Sequence, residues 1–302
     1  MITWSDNYIM GIEQFDHEHK QLFRLAEQIL SKMRLSNRSG SDTHMFVIRE
    51  AVTYINSYFE RHAKAEEAYM RSIGYEGYAL HKMLHDDFQN GQLVKYRQII
   101  ESGQCRESDV WDFIGSGVGW LLEHIATADM AIVGKGILAQ PPQPRMDHTA
   151  LEQEINLLFA STLNIEANAK IASAQYAGEY YGKAIHQKMV YQTDKGEVSV
   201  ISGIERTFLL DVAHMLYGET MEDEVELILS TVQSFGPHFW GTLGRRFAGN
   251  DSRISVKETQ LLPGGMVHEE LNRLQPTISL LFTSDKGKFS VASNYVSPSM
   301  AI

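Results

Sequence analysis

The chain has 302 residues, 43% hydrophobic and 22% charged, with a formal net charge of −11, which is the composition of about two globular domains and not of a disordered polymer. The acidity is even, 14 Lys/Arg against 19 Asp/Glu in residues 1–138 and 13 against 19 in the remainder, and it excludes a nucleic-acid partner and a polybasic membrane site, both of which need a basic face. No apolar run reaches the ~18–20 residues of a membrane-spanning helix, the opening MITWSDNYIMGIEQFD lacks the basic flank and apolar core of a signal peptide, and the single Cys105 excludes an internal disulfide and fits a reducing cytoplasm.

In chain order, the pattern predicts a helix over about 16–35, closed by the turn-like SNRSGS, and a second over about 42–73, with Ser41 or Asp42 as its N-cap and Gly74 as its stop. A third helix is predicted over about 78–102, ending at Gly103, and a fourth from Ser108 to Val133. Long helices joined by short loops predict an all-α up-down four-helix bundle over residues 1–138. The run 139–147, with Pro141, Pro142 and Pro144, reads as a Pro-rich linker. Residues 148–302 change texture. A helix at 148–163 precedes strands at 182–192 and 196–204 with a turn at Thr193–Gly196, then helices at 206–219 and 222–249, and a hairpin around Asp285–Gly287. This predicts an α+β domain with an antiparallel sheet.

The histidines organise the first region. His81 and His85 stand one turn apart in ALHKMLHDDFQ, and His62 and Glu66 have the same spacing in YFERHAKAEEAYM. His124 precedes Asp129 in WLLEHIATADM, and FDHEHKQLF offers His17 and His19. Each predicted helix therefore brings an imidazole, with Phe23, Tyr58 or Trp120 one turn from a ligand candidate. Facing helices that turn imidazoles and carboxylates inward build metal sites in bundle cores. The set exceeds one tetrahedral zinc, suits iron, copper, zinc or nickel, and is used in full by two metals bridged by Glu66 and Asp129. The other histidines (His44, His148, His186, His214, His238, His268) show no paired spacing and read as structural, and His17 as solvated.

On these residues, segment 1–134 resembles the bacterial hemerythrin domain: Trp4, Tyr8 and GIEQFDHEHKQLF in the first helix, then His62/Glu66, His81/His85 and His124/Asp129. The resemblance implies a pair of iron ions, oxo- or hydroxo-bridged. His81, His85 and His124 hold one iron, His19 and His62 the other, and Glu66 and Asp129 bridge them. O2 is the ligand, bound at the open position of the two-His iron in an apolar pocket placed at Phe23, Tyr58, Ala63 and Trp120. Ala63 stands where the family commonly has Phe. The fourth helix carries Gly115, Gly117 and Gly119, each costing about 0.5–1 kcal/mol relative to Ala; close helix approach, a channel toward the irons and merely tolerated flexibility are the three readings.

Residues 148–302 resemble the CheC/CheX type of chemotaxis phosphatase domain through GIERTFLLDVAHMLYGE and the acidic-started MEDEVELILSTVQSFG. Active members carry a Glu-x-x-Asn pair on that second helix. The alignment puts Thr231 and Ser234 there, so no phosphatase activity, and no enzyme, is expected. Together the resemblances imply a cytoplasmic O2-binding di-iron sensor coupled to a chemotaxis- or motility-type output domain. Its expected partners are O2, a chemotaxis or flagellar protein and a second copy met through the C-terminal domain, without nucleic acid or membrane insertion. The alternatives are an O2 carrier or store localised by residues 148–302, and a di-iron oxidase or peroxidase. The imidazole-rich set argues against the last, since O2-activating di-iron bundles use more carboxylates.

Overall fold

The computed structural model describes residues 4–35, 41–218, 224–249 and 252–295. The turn expected at SNRSGS falls on residues 36–40, outside the described residues, as do the side chains of the cap candidates Ser41 and Asp42. The chain divides into two compact units, residues 1–135 with 223–234, and residues 136–222 with 235–302.

In the first unit a four-helix bundle is made by α1 (Glu13–Leu35), α2 (Ser41–Ser72), α3 (Tyr78–Asp87) continued by α4 (Leu93–Ser102), and α5 (Glu107–His124) continued by α6 (Met130–Ile132). The α1 entry is set by Asp16, whose carboxylate accepts from the Met10 and Gly11 amides at 2.7 and 3.0 Å, while Lys32 and Arg34 in its last turn suit the negative end of the helix dipole. α4 stops at Gly103, whose φ of 69° is left-handed. The third and fourth helices, expected to be continuous, are each interrupted by one π-helical turn, Phe88–Gln92 and Ile125–Asp129. The fourth also starts at Glu107, not Ser108, with the Asp109 carboxylate accepting from the Arg106 amide at 2.8 Å.

In the second unit a six-stranded antiparallel sheet runs in the order β1-β5-β6-β3-β2-β4, with β1 Lys170–Ser173, β2 Ala184–Thr193, β3 Gly196–Glu205, β4 Ile254–Leu262, β5 Ile278–Ser284 and β6 Gly287–Ser293. One face carries an aromatic core of Phe282 and Phe289 with Phe159 of α7 (His148–Leu163), Phe208 of α8 (Arg206–Tyr217) and Phe239 of α9 (Val225–Ala248). On the other, Tyr176, Tyr181, Ile201 and Leu262 pack with Val267 and Leu271 of α10 (Val267–Leu274). A buried ion pair, Arg246 Nε to Glu154 at 2.8 Å, joins α9 to α7, and Arg246 also donates to the Gln140 carbonyl at 2.8 Å. β1, β4 and α10 had no counterpart in the sequence reading. The two strands are the edges of the sheet; β1 is four residues long, too short for its alternation to be read, and β4 is polar and exposed over much of its length.

Candidate metal centre

Helical spacing brings the predicted ligands together. α1 contributes His19, α2 His62 and Glu66, α3 His81 and His85, α5 His124, and the π turn Asp129, all at most 3% exposed. Two groups result, Glu66–His81–His85–His124–Asp129 and His19–His62–Glu66, each with one ligand atom per residue lying within 4.8 Å of the others. Glu66 Oε2 lies 3.1, 3.4 and 3.8 Å from the Nε2 atoms of His81, His85 and His62. Asp129 faces His124 and His81 with Oδ1, at 3.0 and 3.4 Å, and His19 with Oδ2, at 3.2 Å. Both carboxylates thus touch imidazoles of both groups.

The i, i+4 pairs need only a regular helix, but His124 and Asp129 are five apart, which on an α-helix separates them by about 140°. The π turn Ile125–Asp129 adds the extra residue to one turn and returns Asp129 to the ligand face, in keeping with the frequency of such turns at functional sites.

Hydrogen bonding alone leaves this cluster unsatisfied. His85 Nε2 lies 3.2 Å from His81 Nε2 and 3.1 Å from His124 Nε2, and one proton can serve only one such pair. Both oxygens of Asp129, Glu66 Oε1 and both ring nitrogens of His19 make no well-aligned hydrogen bond despite their burial, a state that costs about 1–3 kcal/mol per group. Burial pushes the Glu66 and Asp129 carboxyls up, but the facing imidazoles outweigh it and hold both well below the usual carboxylate range. Burial also lowers His124, to about 4. Ionised carboxylates facing a neutral imidazole, with converging lone pairs, match what a cation requires.

Of the residues expected to form the pocket, Trp120 stacks on His124 with ring centroids 4.2 Å apart. Phe23 packs edge-on against Trp4 and stacks on Tyr8, Tyr58 donates its hydroxyl to the Glu18 carbonyl at 3.1 Å, and Ala63 is buried. Phe88 stacks on Trp120. The sequence reading missed Phe15, edge-on to His62, and Phe59, edge-on to His85. It also missed Glu18, whose Oε2 lies 2.7 Å from His62 Nδ1. The only signal for Glu18 was its place beside His19, which says nothing of a partner on α2. An apolar cavity of about 50 Å³ is lined by Ile29, Phe59, Phe88, Gly117 and Trp120 among others.

Thr231 and Ser234 are buried. Thr231 donates to the Leu227 carbonyl at 2.7 Å within its own helix, and Ser234 to the Ser116 carbonyl at 2.8 Å. His17 is exposed.

The family model described as Hemerythrin HHE cation binding domain matches residues 10–135. A bacteriohemerythrin of Clostridium acetobutylicum is 30% identical over 129 residues, covering 43% of this chain and 96% of that protein, and one of Campylobacter jejuni is 34% identical over 87 residues, 28% of this chain and 59% of that protein. Among solved structures, a CheC-like superfamily protein from Shewanella sp. PV-4 aligns at 10% identity and a TM-score of 0.35, over 48% of this chain and 94% of that one. A chemotaxis protein CheX from Desulfovibrio desulfuricans aligns at 9% identity and a TM-score of 0.32, over 48% and 95%.

Proposed function

The chain belongs to the hemerythrin family through residues 10–135, and from that premise we propose that it is an O2-responsive signalling protein, a di-iron sensor joined to an output domain. The family binds a pair of irons and O2. The residues that hold the pair here are His81, His85 and His124 on one side and His19 and His62 on the other, with Glu66 and Asp129 shared. The observation that carries this assignment is the position of the two carboxylates, each reaching imidazoles of both groups. The iron pair supplies reversible O2 binding. The protein's part is to orient the imidazoles, to neutralise the metal charge with buried carboxylates, and to keep water out. Phe15, Phe59 and Trp120 against His62, His85 and His124 form that dry wall. The side with one histidine fewer would be the one with room for O2.

Coupling to an output rests on α9. Residues up to Ser234 belong to the bundle's unit and those from Phe235 to the sheet's unit, in one helix. Within the first unit, α9 is gripped by the helix that carries His124: Ser230 donates to Asp112 at 2.9 Å, Ser234 to the Ser116 carbonyl at 2.8 Å, and Gln92 to both Ser234 and Ser116 at 3.1 Å. A change at His124 bears on α5 and so on α9. The sheet's unit, residues 136–222 with 235–302, then acts as a cytoplasmic binding module whose dimerisation, or contact with a chemotaxis or flagellar protein, follows the oxygenation state. With buried hydroxyls at Thr231 and Ser234, the chain lacks a Glu-x-x-Asn pair there and does not hydrolyse phosphate by that route. Among the described residues no helix is long and apolar enough to cross a membrane.

The test is a visible spectrum with iron quantified, taken reduced under argon, in air, and under argon again. A reversible O2-dependent band with a pair of irons per chain is expected, and an iron-free chain after expression in iron-rich medium would end this reading. Hydrogen exchange of α9 tests the coupling: protection in residues 235–248 that is identical with and without O2 would leave a carrier or store as the better description.

A further inference from the structure

Glu18 stands one residue before His19 on α1, so its side chain leaves the helix about 100° from the ligand row and meets α2 instead. Its Oε2 accepts from His62 Nδ1 at 2.7 Å. Gln14 Nε2 donates to its Oε1 at 3.3 Å, and its main-chain oxygen holds the Tyr58 hydroxyl at 3.1 Å. The carboxylate is 12% exposed and the imidazole 4%, so the pair is shielded from competing water. An imidazole that gives its Nδ1 proton to a carboxylate presents a lone pair at Nε2, and the carboxylate makes that lone pair more basic. No comparable support reaches His85, whose Nδ1 lies 3.6 Å from Glu67, beyond a hydrogen bond. The Nδ1 atoms of His19 and His81 make no hydrogen bond at all.

We propose that Glu18 is a positioning residue that locks His62 in the Nδ1–H form, and so selectively secures the metal ion on the His19/His62 side, where the protein offers one imidazole fewer. This rests on the iron assignment given above. The asymmetry has a physical purpose. The His19/His62 side would hold its metal ion with one imidazole fewer, and a charge-assisted bond behind one of its two imidazoles compensates for that.

The experiment compares the full-length wild type with Glu18→Gln and Glu18→Leu. It reads iron per chain, the two phases of iron release to excess chelator, and the His62 Nδ1–H proton resonance of the iron-free protein. Removing a partner behind a ligand typically costs 10–100-fold in metal affinity, so in E18Q the first iron should leave about 10-fold faster, in E18L faster still, and the second iron at the wild-type rate. The downfield Nδ1–H signal should persist in wild type and vanish in E18L, while the iron-free proteins melt alike. Wild-type release in both variants overturns the role of Glu18, as does equal acceleration of both irons, which marks general loosening. A wild type that holds no iron overturns the di-iron reading, and the His62 resonance still reports the tautomer lock. If E18L does not fold, E18Q decides.

Discussion

His186 shows at the residue scale what burial does to an imidazole without a carboxylate. On β2 it is 7% exposed, and neither ring nitrogen has a hydrogen-bond partner. It faces Gly203 across the β2–β3 pair, where a Cβ would collide with its ring and with the Tyr181 hydroxyl. Burial lowers its pKa. In the unfolded chain it titrates near about 6.5, so below that pH the unfolded state takes up a proton that the folded state refuses. Stability is therefore fully present above about pH 6.5 and falls as pH drops toward the folded value. Melting temperatures at about pH 7.5 and about pH 5.5 should fall further in wild type than in His186→Leu; equal falls would assign the acid sensitivity elsewhere. His62 and His81 differ: burial lowers them too, but the carboxylates they face outweigh it and raise both.

Two of the glycines in α5 separate at the scale of the element. A Cβ on Gly115 would lie 2.6 Å from the Leu227 carbonyl and 2.9 Å from both the Thr231 amide and Ser230 Cβ, whereas one on Gly117 meets nothing within 4 Å. Gly115 thus allows the close approach of α9, while Gly117 borders the apolar cavity. Both substitutions gain about 0.5–1 kcal/mol of helix propensity, but Gly115→Ala must also displace backbone, an overpacking cost of about 1–3 kcal/mol. Denaturant unfolding should show Gly117→Ala stabilised and Gly115→Ala destabilised, with faster hydrogen exchange in residues 225–234 for Gly115→Ala alone. Identical behaviour of the two would mean that α9 has no fitted seat on α5.

For the whole molecule, a metal ion pair held by residues of α1, α2, α3, α5 and the π turn would tie the bundle together with bonds that only the folded state can make. Ligand binding to the native state alone stabilises by about 2.7 kcal/mol at a hundredfold excess over Kd. The iron-loaded chain should therefore melt several degrees above the chelated one, and Asp129→Ala should abolish the difference. A melting temperature indifferent to chelator would mean that the cluster is a structural polar core. The bundle would then carry that polar core at the cost of its unsatisfied carboxylate oxygens.

The clustered His, Glu and Asp residues were legible in the chain because their spacing is local. His62/Glu66 and His81/His85 share a helix face by period alone, and recurrence of such elements in every predicted helix makes a site more probable than coincidence. The bundle, the leading helix of the second unit and its β2–β3 and β5–β6 hairpins were legible for the same reason, period and turn chemistry being properties of neighbours in sequence. What only the tertiary structure decided depends on groups distant in the chain. Glu18 means nothing until α2 places His62 at 2.7 Å. The π turns have no sequence period, because they give up local helical regularity for a contact made elsewhere, as Asp129 does. Gly115 needs α9, more than a hundred residues later, to show why it has no side chain. The edge strand β1 is only four residues long and β4 is polar and exposed over much of its length, so pairing with β5 and β2, rather than pattern, makes them strands.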